Sequence, residues 1–381
     1  PNREYYSLAK ELENKINKEV AMKKILNIIV LVSVLIGLPA CSESGGETTQ
    51  GVPVELTDAL GRELVLETLP TNIIVAGKQT PMIIDLLYLF PDAEVKLTGV
   101  ENRSQTTKNF LTAISPESTD KVNLEKGAGA EQIAALHPDL VILKTSMAEE
   151  IGAGLETLGI PILYVSLESI AEIETDIRNL GKVMGDEQRA EEILSLYAEK
   201  TESISEKVNQ NDAETKDVLM LQYSEDNGEV SFEVPPTTWL QTNLVEMAGG
   251  NPVWKDEVEG GGWATVNMEQ IANWNPDVIF IINYFGNSVE TVAQLQQNEV
   301  WQQLNATQND QLYGFPGDFI SWDQPDSRWI LGYEWLAMEI NPETFQEYDF
   351  MGSVMDFYQD FYELDADTIN ENIIPLVYGS F

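Results

Sequence analysis

The sequence predicts an α/β protein of two lobes, each a mainly parallel sheet flanked by helices, joined by one long connecting helix. Three observations predict it. Short β-branched runs alternate with helical segments in both halves of the chain. A twelve-residue stretch, "EQIAALHPDLVI" at 131–142, returns as "EQIANWNPDVIF" at 269–280, with six of twelve positions identical. Between the halves, residues 168–208 carry apolar residues at three- and four-residue steps and no Gly/Pro-rich linker.

The elements follow in order. In the first half the strands are 72–77, 95–100, 139–144 and 161–166, separated by helical stretches such as "PMIIDLLYLF" and "EQIAALHP". In the second half they are 217–223, 277–283 and 311–315, with "TWLQTNLVEMAG", "EQIANWNP" and "QLQQNEVWQQL" as helices. Each copy of the repeat is a helix, a Pro-Asp turn and a buried strand. The proline cannot continue the helix and the aspartate accepts turn hydrogen bonds. In the connector, Ile170, Ile173, Ile177, Leu180 and Met184 mark one face, Gly185-Asp186 is a break or bend, and Ala190, Ile193, Leu194 and Tyr197 continue the stripe. Lobes joined this way are expected to move little against each other.

Composition narrows the function. The chain has 381 residues, 43% of them hydrophobic, with eight Trp, which suits two packed cores. Its net charge of −41 would repel a polyanion, so no nucleic-acid partner is expected. One Cys, Cys41, and one His, His137, exclude an internal disulfide and a His/Cys zinc cluster, and no metal centre is expected. A Ser-His-Asp triad would have to use His137, which sits before a proline at a helix-to-strand junction. "GAGAEQ" at 127–132 lacks the third glycine and the preceding strand of a dinucleotide fingerprint, and no Gly-Lys-Ser/Thr phosphate loop occurs.

The amino terminus reads as an address. "MKKILNIIVLVSVLIGLPAC" at 22–41 has a basic start, a mainly apolar middle too short for an ordinary span, and small residues at its end. It resembles the bacterial lipoprotein box, which implies cleavage before Cys41 and a lipid on its thiol. Proline at position 39 departs from the usual small residue there. The division expected is 1–21 an over-extended gene model, 22–40 a lipoprotein signal, 41–51 a flexible tether, 52–167 the N-terminal lobe, 168–208 the connector and 209–381 the C-terminal lobe.

"VELTDALGRELVL", "TNIIVAG", "EQIAALHPDLVIL", "LGIPILYVS", "EMAGGNPVW" and "EQIANWNPDVIFI", in this order and spacing behind a lipoprotein signal, resemble the helix-linked substrate-binding proteins of ABC importers for iron–siderophores, cobalamin and haem. The resemblance implies an extracytoplasmic protein, lipid-anchored through Cys41, that is not an enzyme and holds no resident cofactor. Its ligand would be a metal chelate, an iron–siderophore before cobalamin or haem, delivered to a membrane permease and its ATPase. It also implies that Glu131 and Glu269, one per lobe, dock onto permease arginines. The plainer reading is that both glutamates serve their own helix's first turn.

Ligands of open α/β sheets bind beyond the carboxyl ends of the strands. The residues there include Lys78, Thr80 and Arg103 in the first lobe and Trp239, Trp263, Tyr284, Trp322 and Arg328 in the second. Aromatic faces suit large flat chelates, and cations suit their carboxylate or catecholate groups. Trp263 and Trp322 have glycine-rich or polar neighbours, which predicts exposure, while Arg328 has Asp323 and Asp326 close in sequence as partners. The helix beginning near Asp326 is a possible anion site, so a small oxyanion such as molybdate is the alternative ligand. A metallocofactor-related enzyme or a sensor on the same scaffold is the alternative role.

Overall fold

The computed structural model describes residues 53–102, 109–115, 120–211, 213–258 and 260–381. The expected gene-model extension, signal, Cys41 and tether lie outside these residues, as does Arg103.

The described chain opens with an antiparallel hairpin, β1 (Val54–Thr57) and β2 (Glu63–Leu66). Strand β3 (Ile73–Val75) leads into helix α1 (Thr80–Leu87), and β4 (Leu97–Glu101) precedes the short helix α2 (Phe110–Ile114). After β5 (Val122–Leu124) come α3 (Ala130–Ala134), β6 (Leu140–Lys144) and β7 (Ile162–Val165). These five strands form one parallel sheet in the order β5-β4-β3-β6-β7. Strands β3, β6 and β7 are buried throughout, as a sheet covered on both faces requires. The order reverses between β3 and β6, so the connections after these two strands run to opposite sides.

Residues 168–208 form two helices, α4 (Ile170–Met184) and α5 (Glu187–Val208). The bend expected at Gly185-Asp186 is a full reversal. Gly185 takes the left-handed conformation (φ 75°) and ends α4, and the Asp186 carboxylate accepts from the Arg189 N–H to start α5. The helices then lie side by side, with Arg178 Nε 2.9 Å from Glu191 Oε1, and a Cβ on Gly181 would come within 2.6 Å of the Ala190 methyl. The long connecting helix is therefore the 22-residue α5, with α4 folded back along it.

The second lobe is built on β8 (Asp217–Asp226). It pairs antiparallel with β9 (Glu229–Val234), which pairs antiparallel with β11 (Ala264–Val266). On its other side β8 runs parallel to β12 (Val278–Ile282), and β12 to β13 (Leu312–Gly314), giving β11-β9-β8-β12-β13, with the short β10 (Asn251–Pro252) also on β8. Helices α6 (Leu240–Met247) and α7 (Met268–Trp274) lie within this half, followed after β13 by α8 (Trp329–Ile340) and α9 (Phe350–Tyr362).

The two copies of the repeat do the same local work. Each ends its helix turn with a left-handed residue before proline, His137 (φ 51°) and Asn275 (φ 39°), because a following proline disfavours the right-handed helical region. Each aspartate then clamps the start of the neighbouring strand. Asp139 Oδ2 accepts from the Thr71 N–H, the Thr71 hydroxyl and the Asn72 N–H at 2.8–3.1 Å. Asp277 Oδ2 accepts from the Asp217 N–H at 2.9 Å.

Candidate functional site

Strands β4 and β5 open at their carboxyl ends into a cleft whose wall is one face of α1, with Thr80, Pro81, Ile84 and Asp85 along it. Phe110 of α2 forms part of the same surface, and Phe319 and Ile320, from the loop after β13, close it from the second lobe. Gly77, between β3 and α1, has to be glycine. Its φ is 83°, and a Cβ there would lie 2.7 Å from Met147 Cγ beyond β6. The buried Glu101 at the end of β4 ties this loop to the next one, accepting the Gly77 N–H at 2.7 Å and the Gly127 N–H at 2.8 Å.

Three predicted aromatics come together in the second lobe. Trp239, Trp263 and Tyr284 are half-buried and meet edge to face in sequence, with ring centroids 5.9 Å and 6.1 Å apart. Trp239 immediately precedes α6, Trp263 precedes β11 and Tyr284 follows β12, so three elements build one aromatic wall. The start of α6 touches the connector, where the Leu240 N–H donates to the Glu168 carbonyl beyond β7 at 3.0 Å. Its polar anchor is Asp323, which accepts from the Tyr284 hydroxyl at 2.6 Å, the Ser321 hydroxyl at 2.5 Å and Gln241 Nε2 at 3.3 Å. Burial pushes the Asp323 carboxyl up to about 6, and these donors limit the rise.

Thr80 lines the cleft but is fully buried, and its hydroxyl donates to the Glu101 carbonyl at 2.9 Å. Lys78 is exposed, with Glu150 3.7 Å away. Two expectations are corrected. Trp322, predicted to be exposed, has no accessible surface and packs against Phe350 with centroids 6.0 Å apart. Its polar neighbours face inward, where Ser321 and Asp323 bond to each other, so a polar stretch here is not a solvent-facing one. Arg328, expected to offer its charge to a ligand, is equally buried. Its guanidinium meets Asp85 and Asp326 through Nη1 at 2.6 Å each and Asp318 through Nε at 3.2 Å. Burial alone would lower the Arg328 pKa, but these carboxylates hold it well above its ordinary value. Burial pushes Asp326 up to about 8 and also raises Asp85, against the pull of Arg328.

Sequence reasoning missed Asp85, Asp318 and Phe110. Asp85 carried a readable signal: it is the one charge inside the apolar run "PMIIDLLYLF".

Glu131 and Glu269 are both exposed, in the first turns of α3 and α7. The capping falls to the residue after each. Gln132 Oε1 accepts the Gly129 N–H at 2.9 Å, and Gln270 Oε1 accepts the Asn267 N–H at 3.1 Å. Among the described residues no hydrogen bond or ion pair engages either glutamate carboxylate, so capping accounts for the Gln of each repeat and not for the Glu, which has only the dipole of its helix's first turn.

Two α/β lobes with a cleft at their carboxyl edges, joined through a helical connector, define a substrate-binding protein of the kind that serves ABC transporters. The chain belongs to the periplasmic binding protein family, whose profile matches residues 65–319. An uncharacterized ABC transporter substrate-binding lipoprotein of Bacillus subtilis, YvrC, is 24% identical over 79% of this chain and 90% of its own length. The molybdate-binding protein MolA of Haemophilus influenzae is 24% identical over 81% of this chain and 90% of its own. Among solved structures, a periplasmic solute binding protein from Veillonella parvula superimposes with a TM-score of 0.68 at 24% identity, covering 85% of this chain and 98% of that one.

Proposed function

We propose that this chain is an extracytoplasmic lipoprotein that captures a metal chelate between its lobes and delivers it to the permease and ATPase of an ABC importer. The observation that carries the ligand class is the wall of Trp239, Trp263 and Tyr284. Three rings from three elements, anchored below by Asp323, offer a broad apolar surface with few polar groups, which suits an iron–siderophore, cobalamin or haem. Relatives matching about half of the chain are named for iron(3+)-hydroxamate and vitamin B12 binding, which supports the same class. The small-oxyanion alternative has the Haemophilus relative in its favour. Against it, the buried cation best placed for an oxyanion, Arg328, is already engaged by three aspartates.

Delivery rests on Glu131 and Glu269, which project one carboxylate from each lobe and can make charge-assisted pairs with permease arginines. Anchoring rests on Cys41: Cys41→Ala is expected to release the protein from the membrane and to abolish the lipid mass. The ligand is tested by native mass spectrometry of residues 52–381 with ferric siderophores, cobalamin, haem and molybdate. A retained chelate supports the proposal. Molybdate retained alone replaces it with the oxyanion reading, and retention of none of the panel counts against a chelate carrier.

A further inference from the structure

The cleft and the contact that holds the lobes together share a helix. Asp85 sits on the face of α1 that lines the cleft, and it is also the first-lobe partner of Arg328, 243 residues later, at 2.6 Å. Both side chains are withdrawn from water, at 5% and 0% exposure. The Asp85 backbone joins in, its carbonyl accepting from the Tyr362 hydroxyl of α9 at 2.9 Å. That hydroxyl lies 2.5 Å from Ser327 Oγ, and the Ser327 carbonyl accepts from Tyr197 of α5 at 2.7 Å. Phe110 of the first lobe covers the guanidinium, its ring centroid 4.1 Å from Arg328 Cζ, and its ring also meets Phe319, Tyr358 and Tyr362 of the second lobe.

The contact is asymmetric. On the second-lobe side Arg328 keeps Asp318, Asp326 and the Tyr358 hydroxyl, all within its own lobe. On the first-lobe side it has Asp85. Breaking the interlobe bond therefore leaves the arginine charge compensated, whereas breaking either intralobe bond does not separate the lobes. Buried charges left without partners are costly, but this pair can open without creating one on the arginine. A bond with that property suits a joint that opens.

We infer that Asp85 and Arg328 form a clasp between the lobes that sets the width of the ligand cleft, acting on binding by position and not by ligand contact. Cargo seated against Pro81 and Ile84 presses on the same helix that carries the clasp, so occupancy and lobe spacing are mechanically linked. The clasp itself rests on the geometry alone. Its effect on cargo rests on the cleft being the binding site.

The test needs no cargo. In the chain carrying Cys41→Ser, spin labels at Lys78→Cys and Phe285→Cys report across the cleft mouth. Both positions are exposed, at 57% and 81%, and they follow strands of opposite lobes. The expected result is a narrow distance distribution in this background, a broader and longer one with Asp85→Ala, and an intermediate one with Asp85→Asn, which keeps an acceptor for Nη1. Asp326→Asn, whose bond to Arg328 lies within the second lobe, is expected to broaden the distribution less than Asp85→Ala. Asp85→Asn is nearly isosteric and decides the matter if Asp85→Ala does not fold. An unchanged distribution in a folded Asp85→Asn and Asp85→Ala overturns the clasp, as does equal broadening by Asp326→Asn. Neither result bears on which ligand is bound.

Discussion

The Tyr284 hydroxyl donates to Asp323 at 2.6 Å, and through that bond a buried carboxylate fixes one end of an aromatic wall. The bond separates two roles of one residue. Tyr284→Phe removes the donor and keeps the ring, so the expected loss is about 1–2 kcal/mol of stability with ligand affinity nearly intact. Tyr284→Ala removes the ring as well, and affinity should then fall roughly tenfold further. Urea unfolding and ligand titration on both variants check this. Equal affinity in the two would take Tyr284 out of the ligand surface.

Trp263 and Trp322 should part company in the same way. Trp322 is core, so Trp322→Ala is expected to cost about 3–5 kcal/mol of stability. Trp263 is half-buried on the wall, so Trp263→Ala should cost less stability than that and lower ligand affinity. A Trp322→Ala protein with an unchanged unfolding midpoint would contradict its placement.

The double variant Glu131→Ala, Glu269→Ala changes two exposed carboxylates that have no partner among the described residues. Stability should stay within about 0.5 kcal/mol. Uptake of the cargo should be lost while binding by the isolated protein persists. Normal uptake by a secreted double variant would return both glutamates to a local role in their helices.

Stability should fall as pH rises through neutrality. Burial raises Asp323 to about 6, Asp176, Glu334 and Glu339 to about 7, and Asp326 to about 8. In the unfolded chain these groups lose their protons near pH 4. Between about pH 4 and 8 the folded protein therefore holds more protons than the unfolded one, and removing them costs stability. Asp139 runs the other way: burial pushes it up, but three hydrogen bonds from Thr71 and Asn72 outweigh that and lower it, so it matters only in acid. The melting temperature at pH 5.5 should exceed that at pH 8.5, and a melting temperature that rises over this interval would refute the assignment.

The repeat makes a paired prediction. Asp139→Ala strips three donors at the start of β3 of their acceptor, and Asp277→Ala strips the Asp217 N–H and the Asn305 amide of theirs. Each should lower the unfolding free energy by about 1–3 kcal/mol. Asp139→Ala should cost more, having more donors to abandon.

Much of this architecture was legible because local chemistry and global fold agree. The buried parallel strands are unbroken apolar runs, and the repeat signals itself through Pro138-Asp139 and Pro276-Asp277. The antiparallel pair β9 and β11 was less legible. "EVSFEV" alternates, but nothing local says which strand it pairs with. The aromatic wall was legible in part, since Trp239, Trp263 and Tyr284 each flank a readable strand or helix. Loop 316–328 was misread because its polar residues looked solvated. Asp318, Ser321, Asp323, Asp326 and Arg328 are instead buried by satisfying one another, partly across the lobes, and a pairing between positions 85 and 328 leaves no local trace. The reversal at Gly185 was legible as a break and not as a direction, because a left-handed cap ends a helix without stating where the next one goes.

Phe110 is covered by Tyr358 and Tyr362, and Arg189 donates to the carbonyls of both Leu89 and Phe361, at 3.0 Å and 2.7 Å. Part of the first lobe is thus finished by α9, which is made long after it. At a synthesis rate of about 5–20 residues per second, roughly ten to fifty seconds separate Phe110 from the residues that shield it. For that interval the nascent chain carries a bare aromatic face on an otherwise complete half. Truncation before α9 would make the interval permanent, so a nonsense mutation far downstream should injure the first lobe.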